Sequence, residues 1–334
     1  MKKATIIDVA NACGVSQKTV SRVINNSPDV TPATREKVYA AIRETGYQVN
    51  LLAKGLKGSR TNVIVVFADR RKEEHLAAWH NVMLKYLFAF GKEKGMKIIF
   101  SPSSAERFAT DETDGFYLIT SGLADGAILL ENVNRDSRIE YFEQHQIPYV
   151  VFGEADTDDI PSVSMDNFDA GYNGARYLYE KGYDPIVFLI GEKRYRSTQL
   201  RIAGFEQAMK NKESSYQIYS EINTIEKAYL KASEILSERP VRAFFVSGDE
   251  RAQGVYRAIY EKGFRIPEDV AVLGLDNIPA GRFYYPPIST VGQNFEEMAA
   301  KCIDYLDELI GNGFTQCEHK KYAYPSELIE RSST

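Results

Sequence analysis

Gln17, Lys18 and Arg22 are the side chains of this sequence whose chemistry is easiest to name. An amide can donate to and accept from the exposed edge of adenine. Lysine and arginine can donate to the paired acceptors of guanine in the major groove of DNA. Around them stand Thr5, Ser16, Thr19, Ser21, Asn25 and Thr34, hydroxyl and amide residues near expected helix ends. Such groups suit phosphate oxygens, which fix register without reading sequence. Chemistry of a catalytic kind is missing. The four histidines (His75, His80, His145, His319) show no metal-ligand spacing, and Cys13, Cys302 and Cys317 form neither a CxxC pair nor a disulfide framework. No G-x-S-x-G elbow, Walker A loop or strand-linked G-x-G-x-x-G occurs. The sequence calls for no metal and no cofactor, and reads as a protein other than an enzyme.

The elements that must carry the DNA-reading side chains are marked by capping signals. Thr5-Ile6-Ile7-Asp8 has the form of a capping box, and Gly14 can stop the helix that follows. Ser16 caps a second helix, from Gln17 to about Asn25, with Val20, Val23 and Ile24 on its buried stripe. Thr31 and Pro32 open a third, with Val38, Ala41 and Ile42 at core spacing and Gly46 at its end. The corner Gly14-Val15-Ser16 joins the first two as a helix-turn-helix. Charge agrees with this placement. Residues 1–60 hold ten Lys and Arg against four Asp and Glu, whereas the chain as a whole has a net charge of −5. A small basic module is therefore attached to an acidic body.

Beyond residue 62 the pattern changes to buried strand runs with helical stretches between most of them. VIVVF (63–67), KIIF (97–100), AILL (127–130), YVVF (149–152), IVFLI (186–190), AFFV (243–246) and VAVLGL (270–275) are continuous and apolar. Such runs with helical crossovers predict an α/β body of open parallel sheets covered on both faces. A change near Ile160-Pro161 divides it into two halves. Ligands in such sheets bind beyond the carboxyl ends of the strands. No apolar run approaches the roughly 18 residues of a membrane span. No secretory h-region follows Met1-Lys2-Lys3, so a cytoplasmic location is expected.

The segments TIIDVANACGVSQKTVSRVIN, VTPATREKVYAAIRETGY and NLLAKGLKG resemble the headpiece of the LacI/GalR repressor family. SVSMDNFDAGYNGARYLYEKGY, RIAGFEQAM, SGDERAQGVYRAI and IPEDVAVLGLDN resemble that family's periplasmic-binding-protein-like effector body. The resemblance implies a helix-turn-helix domain at 1–48 and a hinge at 49–61. It implies an effector and dimerisation body at 62–334, with one lobe of about 62–160 plus 291–322 and another of about 161–290 plus 323–334. Gln17, Lys18 and Arg22 would then read bases. Asn50, Ala53 and Leu56 would lie on a hinge helix that enters the minor groove, Leu56 as the wedge. The hinge is too short to hold helix alone in water and contains Gly55 and Gly58. In the body, Arg201 and Asp276 would hold ligand oxygens, with Tyr195, Ser197, Asp249, Gln293 and Trp79 as further candidates. One departure lies at DRRKEEHLAAWH (69–80), which lacks the Asn-Pro-Phe-Phe stretch common in relatives.

Taken together, the resemblance implies a homodimeric transcriptional repressor on a pseudo-palindromic operator. A sugar or oligosaccharide would control it, in the service of a carbohydrate-utilisation operon. GEADTDDIPSVSMDNFDAGY is similar to the maltose-regulator branch. Two other family modes fit the same chain: control by a phosphoprotein co-repressor, or by a purine or other small ligand. No leucine-heptad tail follows the last strand, so a tetramer is not expected.

Overall fold

The computed structural model describes residues 4–24, 27–48, 60–69, 76–318 and 320–334. Its contacts divide the chain into two compact units, Met1–Thr61 and Asn62–Thr334.

The first unit holds three helices: α1 (Ile6–Cys13), α2 (Gln17–Ile24) and α3 (Pro32–Thr45). The expected caps are all made. Thr5 and Asp8 close a reciprocal capping box, and Gly14 ends α1 in the left-handed conformation, with φ 62°. Ser16 Oγ accepts from Thr19 N at 3.1 Å, and Thr31 Oγ1 accepts from Thr34 N at 3.3 Å. The core is small. Val9, Ala10, Cys13, Val20, Val23, Val30, Val38 and Ala41 are buried, and Ile6, Ile24 and Ile42 pack at its rim.

The second unit contains two six-stranded sheets. The first comprises β1 (Val63–Asp69), β2 (Lys97–Ser103), β3 (Gly126–Leu130), β4 (Tyr149–Phe152), β5 (Ser162–Met165) and β11 (Lys321–Tyr324). Their order is β11-β5-β4-β3-β1-β2, with every pairing parallel. The second comprises β6 (Ile186–Leu189), β7 (Tyr216–Tyr219), β8 (Ala243–Val246), β9 (Ala271–Asp276), β10 (Ser289–Gly292) and β12 (Glu327–Ile329). Its order is β12-β10-β9-β8-β6-β7, parallel except for antiparallel β12 on the edge. All seven apolar runs read from the sequence coincide with these strands to within one residue, Ile190 and Val270 falling just outside β6 and β9.

Helices α4 (Ala78–Glu93), α5 (Tyr117–Thr120), α6 (Ser137–His145) and α11 (Phe295–Asn312) belong with the first sheet. Helices α7 (Asn167–Glu180), α8 (Arg196–Met209), α9 (Ile225–Glu238) and α10 (Asp249–Glu261) belong with the second. The chain crosses between lobes three times, after β5, after β10 and between β11 and β12. These crossings fall a few residues later than the breaks at 160, 290 and 322 expected from the sequence. The reason is local. At the first crossing, Ser162–Met165 alternates serine with apolar residues and does not stand out as an apolar run, yet it pairs with β4 and β11 and so belongs to the first lobe.

One helix pair fixes much of the second lobe. A Cβ on Gly171 of α7 would lie 2.0 Å from the Arg201 carbonyl oxygen of α8, and one on Gly204 would lie 2.0 Å from that of Phe168. Glycine is required on both sides because the two backbones touch. That contact sets where Arg201 stands.

Candidate functional site

In the helical unit, α2 presents Gln17, Lys18 and Arg22 to solvent on the side away from Val20 and Val23. The three can therefore reach outward together from the first two turns. Thr19, Ser21 and Thr34 are half-buried, whereas Thr5 and Ser16 are exposed. Several hydroxyls already have local partners: Thr5 with Asp8, Ser16 with Thr19 at 2.9 Å, and Thr31 with Thr34 at 2.9 Å. Asn25, Asn50, Ala53 and Leu56 lie outside the described residues.

In the sheet unit a cavity opens between the lobes at the carboxyl ends of the strands. Its empty space is about 700 Å³, counting the part open to solvent. Six of the seven expected effector residues line it: Trp79, Tyr195, Ser197, Arg201, Asp276 and Gln293. Their origins differ. Trp79 comes from the start of α4 and stacks on His80, with centroids 3.9 Å apart, and on Phe295. Tyr195, Ser197 and Arg201 come from the loop after β6 and the first turns of α8. Asp276 ends β9, and Gln293 follows β10 at a lobe crossing.

The polar groups are interlocked. Gln293 Nε2 donates to Asp276 Oδ1 at 2.7 Å. Arg201 Nε donates to Asn167 Oδ1 at 2.9 Å and Nη1 to Ser247 Oγ at 3.1 Å, while Nη2 faces the Met165 sulfur at 3.6 Å. Burial lowers the Arg201 pKa, against the opposing pull of the Asp276 and Glu131 carboxylates. Burial also pushes the Asp276 carboxyl up to about 6, against the opposing pull of the Arg201 and Arg251 guanidiniums. Asp276 has φ 114° and Asn277 φ 57°, backbone angles that side-chain-bearing residues rarely adopt. Strain of this kind gathers at sites where a side chain has to be aimed.

Asp249 is placed elsewhere. Its carboxylate is fully buried beneath the cleft, accepting from Ile278 N at 2.9 Å and Thr290 Oγ1 at 2.7 Å. Burial pushes its pKa well above the usual range. It braces the turn after β9 and does not line the cavity. Phe283 and Tyr285 are 87% and 86% exposed, on a surface of the second lobe.

The cavity also gathers residues that sequence reasoning passed over. Glu131 follows β3 with φ 71°, Glu192 follows β6, and Ser247 follows β8. Each stands just past the carboxyl end of an apolar run, and that position was a usable signal. Asn167 and Asn223 sit at the start of α7 and just before α9, where no such marker exists. No group of three or more His, Cys, Asp or Glu among the described residues is arranged to hold a metal ion. No helix among them is long and apolar enough to cross a membrane.

A helix-turn-helix with three outward-facing polar side chains, on a chain with a polar interlobe cleft, fits a DNA-binding transcriptional regulator with an effector domain. Residues 5–50 match the bacterial regulatory proteins of the lacI family, and residues 175–334 match the periplasmic binding protein-like domain. The HTH-type transcriptional repressor PurR of Klebsiella pneumoniae (strain 342) is 31% identical, over 99% of this chain and 96% of its own. The HTH-type transcriptional regulator DegA of Bacillus subtilis (strain 168) is 29% identical, over 99% of this chain and 98% of its own. The lac repressor dimer bound to operator and the anti-inducer ONPF superposes with a TM-score of 0.83 at 26% identity, covering 100% of this chain and 99% of that one. The transcriptional regulator CelR in complex with cellobiose superposes with 0.73 at 25% identity, covering 99% and 100%. The chain belongs to the LacI family of bacterial regulatory proteins.

Proposed function

We propose that this regulator is a repressor that acts as a homodimer on a pseudo-palindromic operator and takes a small sugar or oligosaccharide in its interlobe cleft. Gln17, Lys18 and Arg22 read bases, while Thr5, Ser16, Thr19, Ser21, Asn25 and Thr34 meet phosphates. The hinge residues Asn50, Ala53 and Leu56 act in the minor groove. The observation that carries the ligand reading is the meeting of Asp276, Gln293 and Arg201 with Trp79 in one cavity. Fixed acceptors and donors beside an aromatic face match a ring that is apolar on its faces and hydroxylated at its edge. The cellobiose complex of CelR supports the same class.

Ligand would act by favouring one relative position of the lobes, and its leverage equals its difference in affinity for the two positions. In allosteric proteins that coupling is typically about 1–3 kcal/mol. A thermal-shift screen of monosaccharides, disaccharides and sugar phosphates tests the reading, with Arg201→Ala in parallel. A cognate ligand at a hundred times its Kd stabilises the folded body by about 2.7 kcal/mol. The expected result is a shift with at least one sugar in the wild type that is lost in Arg201→Ala. Equal shifts in both proteins, or none with any sugar, would sink it.

A further inference from the structure

Apart from the chain crossings, the two lobes are joined directly at places that bear on the cleft. Asp69, the last residue of β1 in the first lobe, accepts two hydrogen bonds on Oδ2 from the second lobe. Arg194 Nη2 donates at 2.8 Å and the Tyr195 hydroxyl at 2.7 Å. Arg194 Nη2 also donates to the Tyr195 hydroxyl at 2.7 Å, and its Nε lies 2.5 Å from Glu192 Oε2. The Arg194 guanidinium and the Tyr195 hydroxyl therefore share one carboxylate oxygen of Asp69. Beside them, Tyr195 forms an isolated antiparallel bridge with Val133, which follows β3 in the first lobe. A second join lies at the start of α4. Ala77 offers that helix no side-chain cap, and Glu250 of α10 accepts from the Ala78 backbone N–H at 2.6 Å across the lobes.

The Asp69 side chain is 4% exposed and that of Arg194 39%, so the pair is only partly screened by water. Tyr195 lines the cavity on one side and meets Asp69 through its hydroxyl. Opening the cleft along this edge has to break both bonds to Asp69 and the Val133 bridge together.

We infer that Asp69, Arg194 and Tyr195 form an interlobe clasp that closes one end of the cleft. The clasp holds the lobes together through protein groups alone and limits how far a ligand can extend past Tyr195. A ligand that fits within the clasp leaves it intact. A longer one has to displace it. The clasp exists whatever ligand the cleft takes; only its bearing on ligand length rests on the reading of this cavity as the effector site.

Trp79 is the sole tryptophan of the chain and lines the same cavity, so its fluorescence reports opening. Acrylamide quenching of the full-length protein without added sugar would be compared for wild type, Asp69→Ala, Arg194→Gln and the double variant. Arg194 does not line the cavity beside Trp79, and Arg194→Gln leaves the rings stacked on the indole, His80 and Phe295, in place. The expected result is a rise of about twofold in the quenching constant for each single variant, with no further rise in the double. Glu330→Gln breaks a pair confined to the second lobe, Lys181–Glu330, and serves as the control that stays at the wild-type value. Far-UV circular dichroism checks folding. If Asp69→Ala does not fold, Tyr195→Phe replaces it, removing only the hydroxyl. Wild-type quenching in folded single variants, or independent additive rises in the double, would overturn the clasp. If the clasp holds and no sugar binds, the sugar reading alone fails.

Discussion

Asp276 offers a prediction whose sign and size both follow from its surroundings. Its ordinary pKa of 3.8 is raised to about 6 by burial. A folded value above the unfolded one means that the native state binds more protons between those two values. Stability therefore rises as pH falls through about 6, and the contribution is fully present below 3.8. Above pH 6 the buried carboxylate costs the fold the whole difference, roughly 2 pKa units or about 3 kcal/mol. Asp276→Asn removes that cost and weakens the hydrogen bond from Gln293, worth about 1 kcal/mol. The variant should then be more stable than the wild type by about 2 kcal/mol at pH 7.5. For a body of this size that is roughly 4–8 °C in Tm. Near pH 4 the advantage should be gone. Thermal unfolding followed by Trp79 fluorescence at several pH values measures it. A variant less stable at pH 7.5, or an advantage that does not change with pH, would refute the reasoning. With the proposed sugar ligand, protonation of Asp276 should weaken binding as pH falls below about 6, because a protonated acid loses acceptor capacity for ligand hydroxyls.

Four other substitutions test different parts. Arg22→Ala should relax base preference at one operator position by about 1–3 kcal/mol, whereas Thr34→Ala should weaken all sequences alike; binding to a randomised operator library separates them. Leu56→Ala should reduce operator bending, measured by gel phasing, and leave ligand-induced thermal shifts unchanged. Gly171→Ala should destabilise the second lobe by about 1–3 kcal/mol through overpacking of α7 against α8, and urea unfolding of the full chain would read it.

The fold was readable from the sequence wherever one signal was long or doubled. Thr5 with Asp8, and Thr31 with Pro32, mark helix starts by chemistry that acts within one turn, so no tertiary context is needed. The runs at 63–67 and 243–246 are buried on both faces and stand out for that reason. Ser162–Met165 did not stand out. It alternates serine with apolar residues, and only its pairing with β4 and β11 makes it a strand. Within the cleft, Arg201 and Asp276 came through a family pattern, whereas Asn167 and Asn223 carry no local marker and join the site only through the fold. Asp249 is a cleft candidate only through the same family pattern. Its carboxylate instead turns inward to hold Ile278 and Thr290.

The three crossings have a consequence for the order in which the molecule comes into being. The helical unit is made from neighbours in sequence and can fold as soon as residue 61 has emerged. The first sheet lacks β11 until Tyr324 is made, and the second lacks its edge strand β12 until Ile329. At about 5–20 residues per second, translation of the intervening chain takes roughly 15–55 s. During that interval a finished DNA reader is tethered to a ribosome while neither lobe that controls it is complete.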